Sequence, residues 1–334
     1  MITLQFLQIL WYALIVVLVA GFALLDGFDL GVGIILPFFA SNEDEKKTML
    51  GSIAPFWDGN EVWLVTAGGA LFGSFPDAYA TAFSGFYMVF IFTLFALIFR
   101  AVSFEFRTHD EKRKGLWELA FSTGSFFAVF FFGLILGNIM LGVPLDTNKE
   151  MQGGFLLYFR PFPVVVIFTG IVAVMMHGLS YIAMKTTGSL QERAFSAADR
   201  LWAILLAGIV IFIACVFVLL KANAGNIFLW LGIAIAAASA IGMKLSAMKK
   251  LEKMLFFTSS TAILGVFVIV GAAHFPNLVK SAGDSALSIT IFNSSSPFDT
   301  LKLMSIVAII GMPIVIAYTI FVYRVFKGKA GAGY

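Results

Sequence analysis

Apolar runs of about twenty residues or more recur nine times along a chain of 334 residues. A helix needs about 20 apolar residues to cross the hydrocarbon core of a bilayer. The runs therefore use most of the chain and leave only loops between them. They fall at 5–38, 53–74, 78–104, 116–141, 161–184, 201–221, 226–244, 254–275 and 302–326. Only 12% of the residues are charged, 60% are hydrophobic, and the mean hydropathy is +0.96. A soluble domain carries about 25% charged residues, and a disordered chain needs low hydrophobicity with high net charge. Both are excluded. The predicted fold is an all-α polytopic membrane protein with nine transmembrane helices. The first run is too long for a perpendicular span, so it is predicted to tilt or to project beyond the hydrocarbon. Pro313, inside the ninth, predicts a kink.

The net charge of +3 is too small to argue for nucleic acid, but the placement of the charges is informative. Of the 22 Lys and Arg, 17 lie in the loops that follow runs 1, 3, 5, 7 and 9, and 5 lie in the others. The positive-inside rule then puts the N-terminus outside and the C-terminus in the cytoplasm. No cleavable signal peptide is read, because no basic residue precedes the first run and the run continues well past signal length. Two outer loops have any length, 142–160 and 276–301, the second turn-like at NSSSP. No repeat of fixed period is present. The runs divide as four, four and one, which predicts two four-helix bundles plus one peripheral helix. The corresponding units are 1–145, holding the acid cluster described next, 160–275, and 276–334 with the outer loop and ninth helix.

Charge inside a membrane is expensive, and intramembrane ionisable groups are functional candidates by default. The first run ends LLDGFDLGVG, with Asp26 and Asp29 three apart on one helical face. The second begins APFWDGNEVWL, with Asp58 and Glu61 at the same spacing, and the third ends IFRAVSFEFR, with Arg100, Glu105 and Arg107. By the predicted topology all three stretches lie toward the cytoplasm. Carboxyl groups in a low-dielectric setting can carry protons, and a nearby Arg fixes their geometry. Proton handling and an ion-pair network that pins helix ends are both open readings, and they are compatible.

Other residues carry blander readings. Trp57 and Trp63 read as interfacial anchors. Gly27, Gly31 and Gly33 read as close-packing positions and not as a phosphate loop, since no strand precedes them. His177 and His274 lie in or at the end of apolar runs, but neither has a second ligand candidate one turn away. A hydrogen-bonded packing role outweighs haem ligation for both. His109 sits in a charged loop. Asn138 reads as a helix–helix hydrogen-bonding residue. The single Cys215 lies in an apolar run, so no intrachain disulfide is possible. No GxxxxGK[ST], HExxH, CxxC or serine nucleophile elbow is present. The 38 Phe suit lipid contact and core filling, and could equally line a site for an isoprenoid tail.

Three motifs then carry a resemblance: GFDLGVG (27–33), PFWDGNEVWL (55–64) and FRAVSFEFR (99–107). The sequence resembles subunit II of the cytochrome bd quinol oxidases of prokaryotic cytoplasmic (inner) membranes. The likeness extends over the length and the nine-span layout, with Ala54 standing where Gly is expected. The resemblance implies a haem-free, non-pumping subunit of an electrogenic terminal oxidase that oxidises quinol and reduces oxygen to water. Such a chain binds no cofactor of its own and is inactive alone. It pairs with cytochrome bd subunit I, which holds two b-type haems and haem d, and stabilises it among the membrane lipids. A small single-span third subunit is common in the family and is neither required nor excluded by this chain. The resemblance points to Asp58 and Glu105 as members of a proton path, with Asp29 and Arg100 in support and Glu61 and Asp26 as further members. Two other readings compete, a proton-coupled secondary transporter and a purely structural subunit.

Overall fold

The computed structural model describes residues 2–331, so the ends of the first and last predicted units, Met1 and 332–334, lie outside the described residues. Eleven α-helices account for most of the chain: α1 (Leu4–Phe39), α2 (Glu43–Ile53), α3 (Trp57–Ser74), α4 (Pro76–Gly85), α5 (Tyr87–His109), α6 (Lys114–Leu141), α7 (Pro161–Lys185), α8 (Gly188–Val218), α9 (Ile227–Met248), α10 (Glu252–His274) and α11 (Phe298–Val325). Eight of them are long and apolar enough to cross a membrane: α1 and α5 through α11. The 18-residue α3, which opens with Asp58 and Glu61, is not one of these eight.

The apolar runs map onto helices with instructive differences. α1 has 36 residues, about 54 Å at 1.5 Å per residue, longer than the roughly 30 Å of hydrocarbon. The run at 78–104 is not one helix. α4 begins on Pro76, the chain tightens at Phe86, and α5 restarts at Tyr87. The apolar pattern continues through this break because Phe86 is itself buried. α8 starts at Gly188, ahead of the predicted 201, because its first turns are polar and amphipathic. α2 was expected as loop. It is started by Asn42, whose Oδ1 accepts from the Glu45 N–H (2.9 Å), while the Glu45 carboxylate accepts from the Ser41 N–H (2.7 Å). This is a reciprocal N-terminal cap. α11 remains helical across Pro313. The segment after α10, predicted as a turn-like outer loop, is not all turn: β1 (Asn277–Val279) pairs antiparallel with β2 (Ile289–Thr290).

In a bilayer the apolar faces gain little by leaving lipid, so close packing and polar contacts must hold the helices together. α1 packs against α3, α6, α7 and α10. Its approach to α7 is limited by backbone: a Cβ on Gly31 would lie 1.9 Å from Val174 O and 3.0 Å from Gly178 N. Hydrogen bonds cross between elements as well. Trp11 Nε1 donates to Leu301 O (3.2 Å) and Ser305 Oγ (3.0 Å) on α11, and the Tyr12 hydroxyl to Gly271 O (2.7 Å) on α10. The Tyr181 hydroxyl on α7 donates to Ser52 O (2.7 Å) on α2, and Trp202 Nε1 on α8 to Ala240 O (2.7 Å) on α9. His177 is a packing histidine. Its Nδ1 is 2.8 Å from Ser259 Oγ and its Nε2 3.0 Å from Leu24 O, with the ring stacked on Phe256. Asn138 bonds a loop in place of another helix. Its Nδ2 donates to Tyr158 O (2.9 Å), and its Oδ1 accepts from Arg160 (2.7 Å). Trp63 lies with its ring against Gly21 of α1.

Candidate functional site

The four residues Asp26, Asp29, Glu61 and Arg100 come together from α1, α3 and α5. Asp26 and Asp29 are fully buried and Arg100 is 1% exposed. The guanidinium bridges two helices: Nη2 donates to Asp26 Oδ1 (3.0 Å) and Nη1 to Glu61 Oε1 (2.5 Å). Its Cζ lies 5.9 Å from the Phe121 ring centroid on α6. α6 can come this close because Gly124 faces α5; a Cβ there would lie 2.6 Å from Ala96 O and 3.0 Å from Arg100 N. Asp29 is held by Asn60, whose Nδ2 donates to Asp29 Oδ2 (2.7 Å) and to Leu25 O (2.9 Å). Two carboxylate oxygens, Asp26 Oδ2 and Asp29 Oδ1, are buried without a protein partner among the described residues.

Asp58 and Glu105 are placed differently. Both are exposed, on α3 and α5, and neither side chain makes a hydrogen bond or ion pair among the described residues. Asp58 precedes Glu61 by one turn, and the Glu61 side chain is 24% exposed. The carboxyl groups thus form a series from the buried pair through Glu61 to the exposed Asp58. Arg107 does not join this cluster. It donates to Glu118 (2.8 Å) and Glu43 (2.8 Å), and Lys46 donates to Glu118 (2.6 Å), which ties α2 to α5 and α6. On the other side of α2, Arg193 donates to Glu45 (2.6 Å). Desolvation alone would raise the Glu45 carboxyl, but the Arg193 guanidinium and the Ser41 N–H outweigh it and hold it below the ordinary carboxylate range.

The sequence reading missed two members of the site. Asn60 stands inside WDGNEVWL and was passed over for its acidic neighbours. Tyr323, whose hydroxyl donates to Asn60 Oδ1 (3.2 Å), comes from 263 residues away and carries no local signal. Among the described residues no group of three or more His, Cys, Asp or Glu is placed to hold a metal ion.

Three carboxyl groups stand with one guanidinium here, which pairs with two of them, Asp26 and Glu61. Full ionisation would leave uncompensated negative charge in a low-dielectric interior, which is costly. Protons on the carboxyl groups remove that charge, and the two free oxygens are where such protons can sit.

Residues 7–326 match the family described as cytochrome bd terminal oxidase subunit II. The chain is 34% identical to the cytochrome bd ubiquinol oxidase subunit 2 of Bacillus subtilis, with 96% of each chain covered. It is 31% identical to the cytochrome bd-I ubiquinol oxidase subunit 2 of Escherichia coli K12, covering 98% of this chain and 96% of that one. Its fold is similar to a chain of the bd oxidase from Geobacillus thermodenitrificans, with a TM-score of 0.79, 15% identity, and 96% and 98% of the two chains covered.

Proposed function

Because the chain belongs to the cytochrome bd terminal oxidase subunit II family, we propose that it serves that quinol oxidase as its haem-free subunit and that its buried acid cluster takes up protons from the cytoplasm. In this reading the chain crosses the membrane nine times, with α3 as the crossing of lowest hydropathy. Its N-terminus is outside. α1, α3, α5 and α6 form one bundle and α7 to α10 a second, with α11 peripheral. The haems belong to subunit I, the partner that this chain stabilises. Both ring nitrogens of His177 are already engaged, in keeping with a chain that ligates no haem. The transporter reading is not retained, given the family.

Reducing oxygen to water consumes a proton for every electron. Drawing those protons from the cytoplasm while quinol releases its own outside separates charge without pumping. Each charge moved against 100 mV costs about 2.3 kcal/mol, so the route must be hydrophilic and controlled. The observation that carries the proposal is the carboxyl series. Asp26 and Asp29 hold protons in the interior, Arg100 orients Asp26 and Glu61, and Glu61 leads to Asp58 on the outer face of α3. Glu105, exposed on α5, is the other exposed member of the path in this reading. A purely structural role competes on one observation, the Arg100 bridge between α1 and α3.

Asp29→Asn in the co-expressed complex separates the two. The haem spectrum and quinol-driven oxygen uptake are measured on one preparation. An intact spectrum with uptake down about tenfold, or 1.4 kcal/mol on the barrier, supports proton uptake. Loss of the spectrum supports the structural role, and unchanged turnover removes Asp29 from the path.

A further inference from the structure

Tyr323 lies near the end of α11, and its hydroxyl donates to Asn60 Oδ1. The same carboxamide donates through Nδ2 to Asp29 Oδ2 and to Leu25 O. The amide is therefore fixed from both ends. A flip would set its oxygen against the Leu25 carbonyl and would require the Tyr323 hydroxyl to turn from donor to acceptor. Asp29 Oδ2 consequently always meets a donor. A proton on Asp29 belongs on Oδ1, the buried oxygen with no protein partner among the described residues.

The segment after α11 is tied to the end of α7, and aromatic packing holds Tyr323. Its ring lies 4.4 Å from the Phe56 ring centroid and edge-on to Phe28. Lys185 Nζ, at the end of α7, donates to Phe326 O (2.5 Å) and Gly328 O (2.9 Å). Ala330 N donates to Lys185 O (2.7 Å). Lys329 Nζ donates to Met184 O (2.8 Å) and pairs with Glu252. These bonds strap residues 326–330 across the end of α7. A pocket of about 140 Å³ remains beneath the strap, between Ser52, Phe56, Lys185 and Gly328.

We infer that Tyr323 is a positioning residue for Asp29: its hydroxyl locks Asn60, Asn60 confines the exchangeable proton of Asp29 to Oδ1, and aromatic packing holds Tyr323 in register. The inference rests on the proton-uptake reading above.

Its test uses Tyr323→Phe, Asp29→Asn and the double variant in the co-expressed complex, with the haem spectrum, kcat and the KM for quinol read on each. Tyr323→Phe is expected to keep the spectrum and the KM and to lower kcat about three- to tenfold. The double variant is expected to match Asp29→Asn alone, since residues that act through one another are not additive. If Asp29→Asn lowers kcat while Tyr323→Phe does not, or if their effects multiply, the positioning role is overturned and proton uptake stands. If Asp29→Asn leaves kcat unchanged, proton uptake through Asp29 falls and the positioning role falls with it. A lost haem spectrum or a raised KM in Tyr323→Phe makes the hydroxyl structural and overturns the inference.

Discussion

Gly31→Ala and Gly27→Ala, one helical turn apart on the same side of α1, are expected to differ in stability, with only Gly31→Ala destabilised. A Cβ on Gly31 would lie 1.9 Å from Val174 O and 2.8 Å from Val174 C. Ordinary contact begins at 3.4 Å, so α1 and α7 would have to part by about 1.5 Å, and the obstacle is backbone that no rotamer change can move. Overpacking of this kind costs about 1–3 kcal/mol, while replacing a helical Gly by Ala returns up to about 1 kcal/mol. With the full propensity gain, the net for Gly31→Ala is a loss of up to about 2 kcal/mol. A Cβ on Gly27 meets only His177 Cδ2 and Val174 Cγ1, each at 3.8 Å. It gains the same propensity term and adds van der Waals contact, so the variant is expected to be neutral or stabilised. The assay is thermal denaturation of the purified complex, followed as loss of the monodisperse species under identical detergent conditions. Equal shifts for the two variants, or a stabilised Gly31→Ala, would refute a backbone-limited α1–α7 contact.

Two further outcomes are expected. Asp58→Asn should keep the haem spectrum and lower quinol-driven oxygen uptake about tenfold or more, because Asp58 is the exposed end of the carboxyl series and its side chain makes no hydrogen bond or ion pair among the described residues; unchanged uptake would take it off the path. Glu45 should stabilise the docking of α2 in a pH-dependent way. Its folded-state carboxyl is held low, so its contribution is fully present above the ordinary carboxylate range and is lost as pH falls through the lowered folded value. The protection of α2 amides, taken relative to their intrinsic exchange at each pH, should fall on acidification in the parent protein and lose that acid dependence in Glu45→Gln.

What the sequence made legible depended on whether a signal was local. Pro161 at the first position of α7 marks the start of that helix as a sequence reading places it. The first turns of α8 were invisible to an apolar count because Gln191, Glu192, Arg193 and Asp199 stand there. The Asn42–Glu45 cap was present in the sequence as a helix start and went unused. The acid cluster was legible as composition: Asp26, Asp29, Glu61 and Arg100 were all candidates on the cost of intramembrane charge. Their inward orientation was not, since it depends on Gly31 turning one side of α1 to α7 and leaving the aspartates for α3 and α5. The outward placement of Asp58 and Glu105 is of the same kind. Tyr323 could not be found at all, because its contact with Asn60 spans most of the chain.

Asn60 is a linkage that is mechanically stiff and protonically dead. A carboxamide accepts at oxygen and donates at nitrogen, and carrying a proton from one to the other would require an unfavourable imidic-acid tautomer. The side chain therefore transmits orientation from Tyr323 to Asp29 and conducts nothing. The pocket beneath the C-terminal strap therefore has no proton route to the acids through this contact. In the proton-uptake reading, with that side insulated, the cluster fills and empties by way of Glu61. A single residue thereby couples α11 to the buried acids and keeps it from short-circuiting them.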